Sequence, residues 1–293
     1  MQVVGVARRA VHNFFADECS TRAAAIAYYA VFSVPPALLI IIYIAGLKYG
    51  QSAAAGQISS QLESFIGPQA AGQIEAIISN AAQQKNGGLI ASLIGLAALI
   101  YASTTAFAQL QQALNRAWSV EPDDSSFWSL VKKRLIPFLL VIAAGLVLMA
   151  SMVFGTVVSA FGDALSFQVK GDLDYVLELL VPWGVISFLV AVVFKVLPDA
   201  RVRWKDVMVG AILSGALLVL AKYGLTMYLS RASFASSYGA AGSLAILLLW
   251  LYVSAIILLI GAEFTRAWAQ AHGRDVEPTQ DAHKISPEWR RAA

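Results

Sequence analysis

The chain has 293 residues, of which 58% are hydrophobic and 13% are charged. Soluble domains carry about 25% charged residues, so this composition argues against an ordinary soluble protein. The formal net charge of +3 is too small to indicate a nucleic-acid partner, and the single cysteine, Cys19, excludes an intramolecular disulfide and a cysteine-based metal cluster. No cofactor is predicted.

The first predicted element is an amphipathic helix within the N-terminal segment, residues 1–22. Its apolar residues recur at helical spacing, and Arg8 and Arg9 fall on the opposite face. Helices of this kind lie in the plane of the membrane surface, so we expect this one on the cytoplasmic face of the bilayer. The apolar positions are Val3, Ala7, Val11, Phe14 and Phe15.

Six apolar runs follow, and each is long enough to cross a hydrocarbon core about 30 Å thick at about 1.5 Å per residue. They predict an all-α polytopic membrane domain over residues 23–269, with six transmembrane helices. The predicted spans are residues 23–47, 88–110, 135–161, 179–197, 207–229 and 239–263.

Two segments outside the spans have a predicted character of their own. Residues 51–84 carry two apolar stripes at helical spacing, separated by Gly67-Pro68, which predicts an amphipathic helical hairpin on the outer face. Residues 270–293 are polar and contain two prolines, so we expect a flexible cytoplasmic tail.

The distribution of basic residues predicts the orientation. The segments on one side of the predicted spans hold fifteen Lys and Arg residues, and those on the other side hold four. The positive-inside rule places the basic side in the cytoplasm, so both termini are predicted to be cytoplasmic. The fifteen are Arg8, Arg9, Arg22, Arg116, Lys132, Lys133, Arg134, Arg201, Arg203, Lys205, Arg266, Arg274, Lys284, Arg290 and Arg291.

The first predicted span contains two adjacent prolines, Pro35 and Pro36. Because proline lacks an N–H group, the carbonyls of Val31 and Phe32 lose their helical partners, and an unsatisfied carbonyl in hydrocarbon costs several kcal/mol. One interpretation is a discontinuous helix that lines a polar substrate cavity. The alternative is a packed kink satisfied by a neighbouring helix. Ser33 is a nearby donor, and the hydroxyls of Tyr28 and Tyr29 would add to a cavity wall.

Three further residues within the predicted spans are candidates for the substrate path. Lys222 lies in the fifth span, where it either extends to the outer interface or faces the bundle interior as a cation. Trp250 and Tyr252 lie near the middle of the sixth span, away from the interfaces where aromatic anchors are usual. They either pack in the bundle or line the path.

The inner end of the sixth span carries charges that predict either a structural ion pair or a gate. Glu263 and Arg266 are three residues apart and therefore share a helix face. Charges at a membrane boundary pair with one another or mark a pathway. In the gate interpretation, the pair acts together with Asp17, Glu18 and Arg22.

Four segments of the chain resemble the YihY/BrkB family of bacterial inner-membrane proteins, and the resemblance runs from about Asp17 to Ala267, most of the chain. They are "AAAIAYYAVFSVPPALLI", "ASTTAFAQLQQALNRAWSV", "KVLPDARVRWKDVMVGAILSGALL" and "SSYGAAGSLAILLLWLYVSAIILLIGAEF". The resemblance implies six spans in the inner membrane. It implies little chemistry, because some members carry a ribonuclease label and others a virulence label, and no catalytic motif is available to match.

A ribonuclease would need a metal site or an acid–base pair. The three histidines, His12, His272 and His283, are scattered in sequence, and the basic residues are explained by the membrane orientation. We therefore expect no enzyme activity and no nucleic-acid partner. The first hypothesis is a transporter of a small solute or a lipid-like envelope amphiphile; the second is a membrane scaffold or regulator that does not transport. A homodimer through the small residues Ser151, Gly155 and Ser159 of the third span is also considered.

Overall fold

The computed structural model describes residues 2–33, 50, 105–123, 167–231 and 240–285, with isolated positions between residues 56 and 75. Most of these residues are helical. In chain order the elements are α1 (Gln2–Ala16), α2 (residues 19–33), α3 (residues 105–117), β1 (Val120–Pro122), α4 (Phe167–Val196), β2 (Ala200–Arg201), α5 (Trp204–Arg231), α6 (Ala240–Ala271), β3 (Glu277–Pro278) and β4 (Ala282–Lys284).

Within the described part of the chain, two helices are long and apolar enough to cross a membrane: Trp204–Ser230 in α5 and Leu244–Ala271 in α6. A shorter apolar helix, Leu180–Val196, lies in α4. These three helices overlap the predicted fourth, fifth and sixth spans, and the last of them runs past the predicted end at residue 263 to Ala271. Spans one and two are described only in part, and residues 135–161 lie outside the described residues, so the six-span topology remains a prediction.

The N-terminal segment folds as a helix, a turn and the start of a second helix. Its first helix ends at Ala16, where Asp17 and Glu18 form a turn closed by bonds from their N–H groups to the carbonyls of Asn13 (2.8 Å) and Phe15 (3.2 Å). Glu18 adopts a left-handed backbone conformation with φ of 51°. The predicted amphipathic helix of residues 1–22 is therefore shorter in the structure, because the turn at Asp17 and Glu18 ends α1 at Ala16.

Helix α1 packs on the end of α6 through small and aromatic side chains. Val6 and Ala10 are buried against Ala267, with Phe264 and Trp268 beside them. The packing covers one face of α1 and leaves Val4, Val11 and Phe15 exposed on another. Helix α1 is therefore anchored to a candidate membrane helix and still presents apolar residues outward.

Helices α5 and α6 approach each other closely at two glycines. A Cβ atom added to Gly210 would overlap Thr265 Oγ1 and lie 2.6 Å from the carbonyl oxygen of Gly261. A Cβ atom added to Gly261 would overlap Ser214 Oγ in turn. Small residues in membrane helices permit this backbone contact, which sets the distance between the two helices.

The main hydrophobic core lies toward the α3 C-terminus, where α2, α3, α4, α5 and α6 converge. Trp118 and Phe194 meet there edge to face, with ring centroids 5.8 Å apart. Leu114, Leu197 and Leu259 are fully or almost fully buried around them. This end of the helices, which also carries all four strands, is called the strand-bearing end below.

The tail after α6 forms two antiparallel strand pairs, although the sequence predicted a flexible tail from residue 270. Strand β3 pairs with β2, and β4 pairs with β1.

Asp199 connects the tail to α3. Its carboxylate accepts bonds from Gln111 Nε2 (3.0 Å) and Asn115 Nδ2 (2.8 Å). Its carbonyl accepts bonds from the backbone N–H (3.0 Å) and hydroxyl (3.2 Å) of Thr279. The polar tail is ordered rather than flexible over these residues, because its backbone pairs with strands β1 and β2 from earlier in the chain. Residues 286–293 lie outside the described residues.

The predicted outer hairpin is described at isolated positions, which are helical on both sides of Gly67. Gly67 itself has φ of 84°, a conformation that favours glycine. A Cβ atom there would lie 2.7 Å from Thr226 Oγ1 and 3.7 Å from Lys222 Cγ. This loop thus contacts α5 near the end opposite the strand-bearing end.

Candidate functional site

Four ionisable side chains come together at the strand-bearing end of the helices. Asp17 comes from the α1–α2 turn, Arg116 from the end of α3, and Glu263 and Arg266 from α6. Asp17, Glu263 and Arg266 are 3%, 0% and 4% exposed, whereas Arg116 is partly exposed. These four residues are called the buried charge cluster.

The cluster is held by ion pairs that join separate elements. Asp17 Oδ1 lies 3.4 Å from Arg116 Nε, and Asp17 Oδ2 lies 3.6 Å from Arg266 Nη1. The same Nη1 atom lies 4.0 Å from Glu263 Oε2. Because Asp17 contacts arginines from both α3 and α6, it connects the α1–α2 turn to the ends of two helices.

Backbone groups complete the surroundings of the arginines. Arg266 Nη1 donates a bond of 3.0 Å to the carbonyl of Ala117, the last residue of α3. A cation at this position also interacts favourably with the negative end of the helix dipole. Arg22 Nε donates a bond of 3.1 Å to the backbone carbonyl of Asp17. The arginines thus fix the turn and the α3 terminus as well as the carboxylates.

The region around the cluster is excluded from solvent, and this burial changes the pKa of a neighbouring side chain. Cys19 is fully buried beside it, and this burial raises the pKa of the Cys19 thiol, with the carboxylates of Glu263 and Asp17 adding to the effect. Neither carboxylate oxygen of Glu263 has a hydrogen bond of normal geometry. The side chains of Asn13 and Asp17 lie beside that carboxyl group.

The cluster contains three of the five residues that the sequence proposed as a gate or ion pair, and a fourth, Arg22, lies beside it. Asp17, Glu263 and Arg266 pair directly, and Arg22 binds the turn. Glu18 is exposed on that turn and takes no part in the ion pairs of the cluster. Sequence reasoning missed Arg116 as a partner and placed it only among the basic residues of the predicted cytoplasmic side.

The other proposed site residues divide between the surface and the interior of α2. Val31 and Ser33 are buried, and Ser33 Oγ donates a bond of 3.1 Å to the carbonyl of Ala30. Tyr28 and Phe32 are each more than half exposed and stack edge to face at 5.3 Å. Tyr29 is half-buried and stacks on Tyr28. Pro35 and Pro36 lie outside the described residues.

Lys222, Trp250 and Tyr252 occupy three different environments. Lys222 is half-buried near Gly67, with its ammonium 5.0 Å from the centre of the Tyr223 ring. Trp250 is buried, and Tyr252 is half-buried against the main core. None of the three belongs to the buried charge cluster, so the structure does not bring the two sets of proposed site residues together.

The three histidines also lie apart. His12 is exposed on α1, the ring of His272 packs on Trp268 at 4.4 Å, and His283 Nδ1 lies 2.7 Å from Asp123 Oδ1. Among the residues that the structure describes, no group of three or more His, Cys, Asp or Glu side chains is placed to hold a metal ion.

The sequence profile of the family described as Virulence factor BrkB matches residues 10–286 of the chain. Similar curated proteins include a UPF0761 membrane protein of Psychrobacter sp. (strain PRwf-1), 27% identical over 87% of this chain and 46% of its own length. A UPF0761 membrane protein of Alcanivorax borkumensis is 26% identical over 91% of this chain and 61% of its own length.

The ribonuclease-like protein YfkH of Bacillus subtilis (strain 168) is 23% identical over 91% of this chain and 94% of its own length. The chain therefore spans about half to three-fifths of the first two relatives and nearly all of the third. No solved structure matches the chain.

Proposed function

The chain belongs to the Virulence factor BrkB family of membrane proteins, and on that premise we propose that it is a transporter-like protein of the bacterial inner membrane. It crosses the bilayer six times with both termini in the cytoplasm, in accord with the excess of basic residues on one side. The strand-bearing end is then the cytoplasmic end. The substrate class is a small solute or a lipid-like envelope amphiphile.

The observation that carries this proposal is the buried charge cluster. Charges removed from water cost several kcal/mol unless they are well paired, and within membrane proteins they cluster along substrate and ion pathways. Here the ions lie where four elements meet at the cytoplasmic end. Movement of the α1–α2 turn away from α3 and α6 requires the Asp17 ion pairs with Arg116 and Arg266 to break. The arrangement suits an inner gate that is closed in this structure.

The substrate path above this gate follows the residues proposed from the sequence. Val31 and Ser33 face inward from α2, one turn or less before Pro35. The hydroxyl of Ser33 is already bonded to Ala30, so it stabilises the last described turn of this helix. Lys222 lies toward the other end of the protein, where an anionic group would meet it on the outer side of the path.

Flux through liposomes tests the proposal. The purified full-length protein is reconstituted, and passage of small ions and of a fluorescent phospholipid is compared with protein-free liposomes. We expect flux of one of these probes, and a severalfold increase with Asp17→Asn, because the substitution removes the charge that holds the gate. Glu18→Gln is the matched control, since Glu18 is the exposed neighbour of Asp17 on the same turn.

Equal flux with and without protein, for both probes and all variants, would contradict transport. The second candidate, a scaffold or regulator that does not transport, would then be favoured. The observation that supports it is the exposed apolar face of α1, where Val4, Val11 and Phe15 are 75%, 53% and 70% exposed. Such a face binds either the membrane surface or another envelope protein.

We do not extend the ribonuclease-like name of the Bacillus subtilis relative to this chain. What supports this is the separation of the acid–base groups. Among the residues that the structure describes, His283 pairs with Asp123, and this pair lies in the exposed strand pair formed by the tail. There it joins β4 to the residue after β1, which accounts for it as a structural contact. Non-enzymatic function is therefore part of the proposal.

A further inference from the structure

Two buried carboxyl groups, those of Asp17 and Glu263, adjoin each other in the buried charge cluster. The arginine side chains lie closer to Asp17 than to Glu263. Asp17 lies 3.4 Å from Arg116 and 3.6 Å from Arg266, whereas Glu263 is 4.0 Å from Arg266, at the limit of an ion pair. Arg266 Nη1 also donates to the carbonyl of Ala117. The favourable cationic contacts therefore converge on Asp17.

Glu263 is 0% exposed, so water does not compensate for the weaker cationic contact. Neither of its oxygens accepts a hydrogen bond of normal geometry, and the side chains beside it are the carboxyl group of Asp17 and the amide of Asn13. A buried charge without good partners is strongly destabilising, and two adjacent carboxyl groups cannot both ionise cheaply. A proton on one of the two carboxyl groups neutralises the poorly paired buried charge and removes the repulsion between two carboxylates.

We infer that Asp17 and Glu263 form a carboxyl pair that holds one proton, carried by Glu263. The ligand of this site is H⁺, exchanged with water at the cytoplasmic end. The titratable and charged groups that face the pair are Cys19 and Arg22 from α2, Arg116 from α3 and Arg266 from α6. Asn13, the contribution of α1, does not titrate.

The proton site gives the gate a coupling ion, and this role rests on the proposed transport function. Loss of the proton to water places a second negative charge next to Asp17. That charge repels Asp17 and competes for Arg266, which weakens the contact between the α1–α2 turn and α6. Deprotonation of the pair therefore favours opening, and binding of a proton favours the closed arrangement seen here.

Infrared difference spectroscopy of the reconstituted full-length protein tests the proton directly. At neutral pH we expect an absorption band from a protonated carboxyl group that disappears at alkaline pH. Glu263→Gln, which keeps the size and shape of the side chain, should remove this band. Glu277→Gln, in the exposed strand β3, should leave it unchanged.

A second measurement needs no substitution. Wild-type protein grown with carbon-13 glutamate should show the same band shifted to lower frequency. A band that persists in Glu263→Gln, that does not shift on glutamate labelling, or that is absent at neutral pH would overturn the proton site. If the band behaves as expected but liposomes show no flux, the proton site stands and its coupling role is overturned. The two proposals can thus fail separately.

Discussion

At Gly210 and Gly261, a missing side chain decides how closely two membrane helices pack. Each glycine faces a hydroxyl-bearing residue of the other helix, Thr265 or Ser214, and the backbone of one helix approaches the backbone of the other. The hydroxyl of Thr265 bonds to the carbonyl of Gly261 within its own helix at 2.8 Å. The close contact between the helices therefore depends on the small size of the two glycines, and neither position has room for the methyl group of alanine.

Gly210→Ala is expected to destabilise the protein by roughly 1–3 kcal/mol, the usual cost of overpacking. The new Cβ atom would meet the backbone carbonyl of Gly261 at 2.6 Å, and backbone cannot move aside as a flexible side chain can. Thermal unfolding of the purified protein in detergent measures the effect as a lower Tm.

Gly224→Ala is the control for this substitution, because it is the same change in the same helix at a site with no atom within 4 Å. We expect this variant to be neutral or more stable by up to about 1 kcal/mol, as replacing glycine in a helix usually is. If both variants lowered Tm equally, close helix contact would not be the cause.

At the residue scale, the sequence identified most of the buried charge cluster. Glu263 and Arg266 were paired by helical spacing, and Asp17 and Arg22 were grouped with them because both lie at the predicted cytoplasmic boundary. Arg116 as a partner could not be derived, because pairing it with Asp17 requires knowing how α3 packs against the α1–α2 turn. The exposure of Tyr28 and Phe32 could not be predicted from the sequence either, because a helix that is apolar on all sides has no periodic pattern that marks its buried face.

At the scale of elements, the tail shows how a polar segment becomes ordered. The sequence predicted flexibility because residues 270–293 lack an apolar pattern and contain prolines. The structure orders residues 272–285 through strand pairing and through ion pairs such as Arg274 with Asp206 at 2.7 Å. The hydrogen bond from Lys284 lowers the pKa of Asp275, so this contact also persists in mildly acidic solution. Such pairing depends on distant residues, which local composition does not reveal.

Asn115→Ala should loosen the tail, although Asn115 lies on α3. Its side chain both donates to the Asp199 carboxylate and accepts from the Asp199 N–H group at 2.8 Å, and Asp199 in turn holds Thr279. Hydrogen bonds to charged groups contribute about 1.5–3 kcal/mol, and about 1.4 kcal/mol corresponds to tenfold. We expect trypsin to cleave after Lys284 about tenfold faster than in the wild type.

The matched control is Gln112→Ala, which removes an exposed amide from the same helix. Cleavage should then keep the wild-type rate. Unchanged cleavage in Asn115→Ala, or equal acceleration in both variants, would show that Asp199 does not hold the tail in place.

At the scale of the whole molecule, apolar runs located the helices well. The predicted fourth, fifth and sixth spans overlap α4, α5 and α6, because a helix that crosses lipid is apolar over most of its length. Helix α4 begins earlier and α6 ends later than predicted. The short strand pairs were not predicted, since strands of two or three residues have no readable alternation. The number of crossings and the orientation still rest on the sequence.

Cysteine labelling tests the orientation, and Cys19 should contribute little background. It is fully buried, and burial raises its thiol pKa, so little reactive thiolate forms. We expect Ser230→Cys, at the end of α5 away from the strands, to react with a membrane-impermeant maleimide in intact cells. His12→Cys and Gln270→Cys, both at exposed positions near the strand-bearing end, should react only after the membrane is opened.

Wild-type protein and a permeabilised sample of each variant serve as controls. Labelling of His12→Cys or Gln270→Cys in intact cells would place that end outside and contradict the proposed topology. Labelling of all three variants from one side would show instead that α5 does not cross the bilayer.

The pairing of β1 with β4 has a consequence for how the protein is made. Asp123 follows β1 and meets His283 of β4, 160 residues later in the chain. While a ribosome synthesises α4, α5 and α6, the backbone edge of β1 has no strand to pair with. The helices can form one after another during translation, but the strand-bearing end is complete only when β4 emerges, so a nascent chain that stalls before residue 282 leaves β1 without its partner strand.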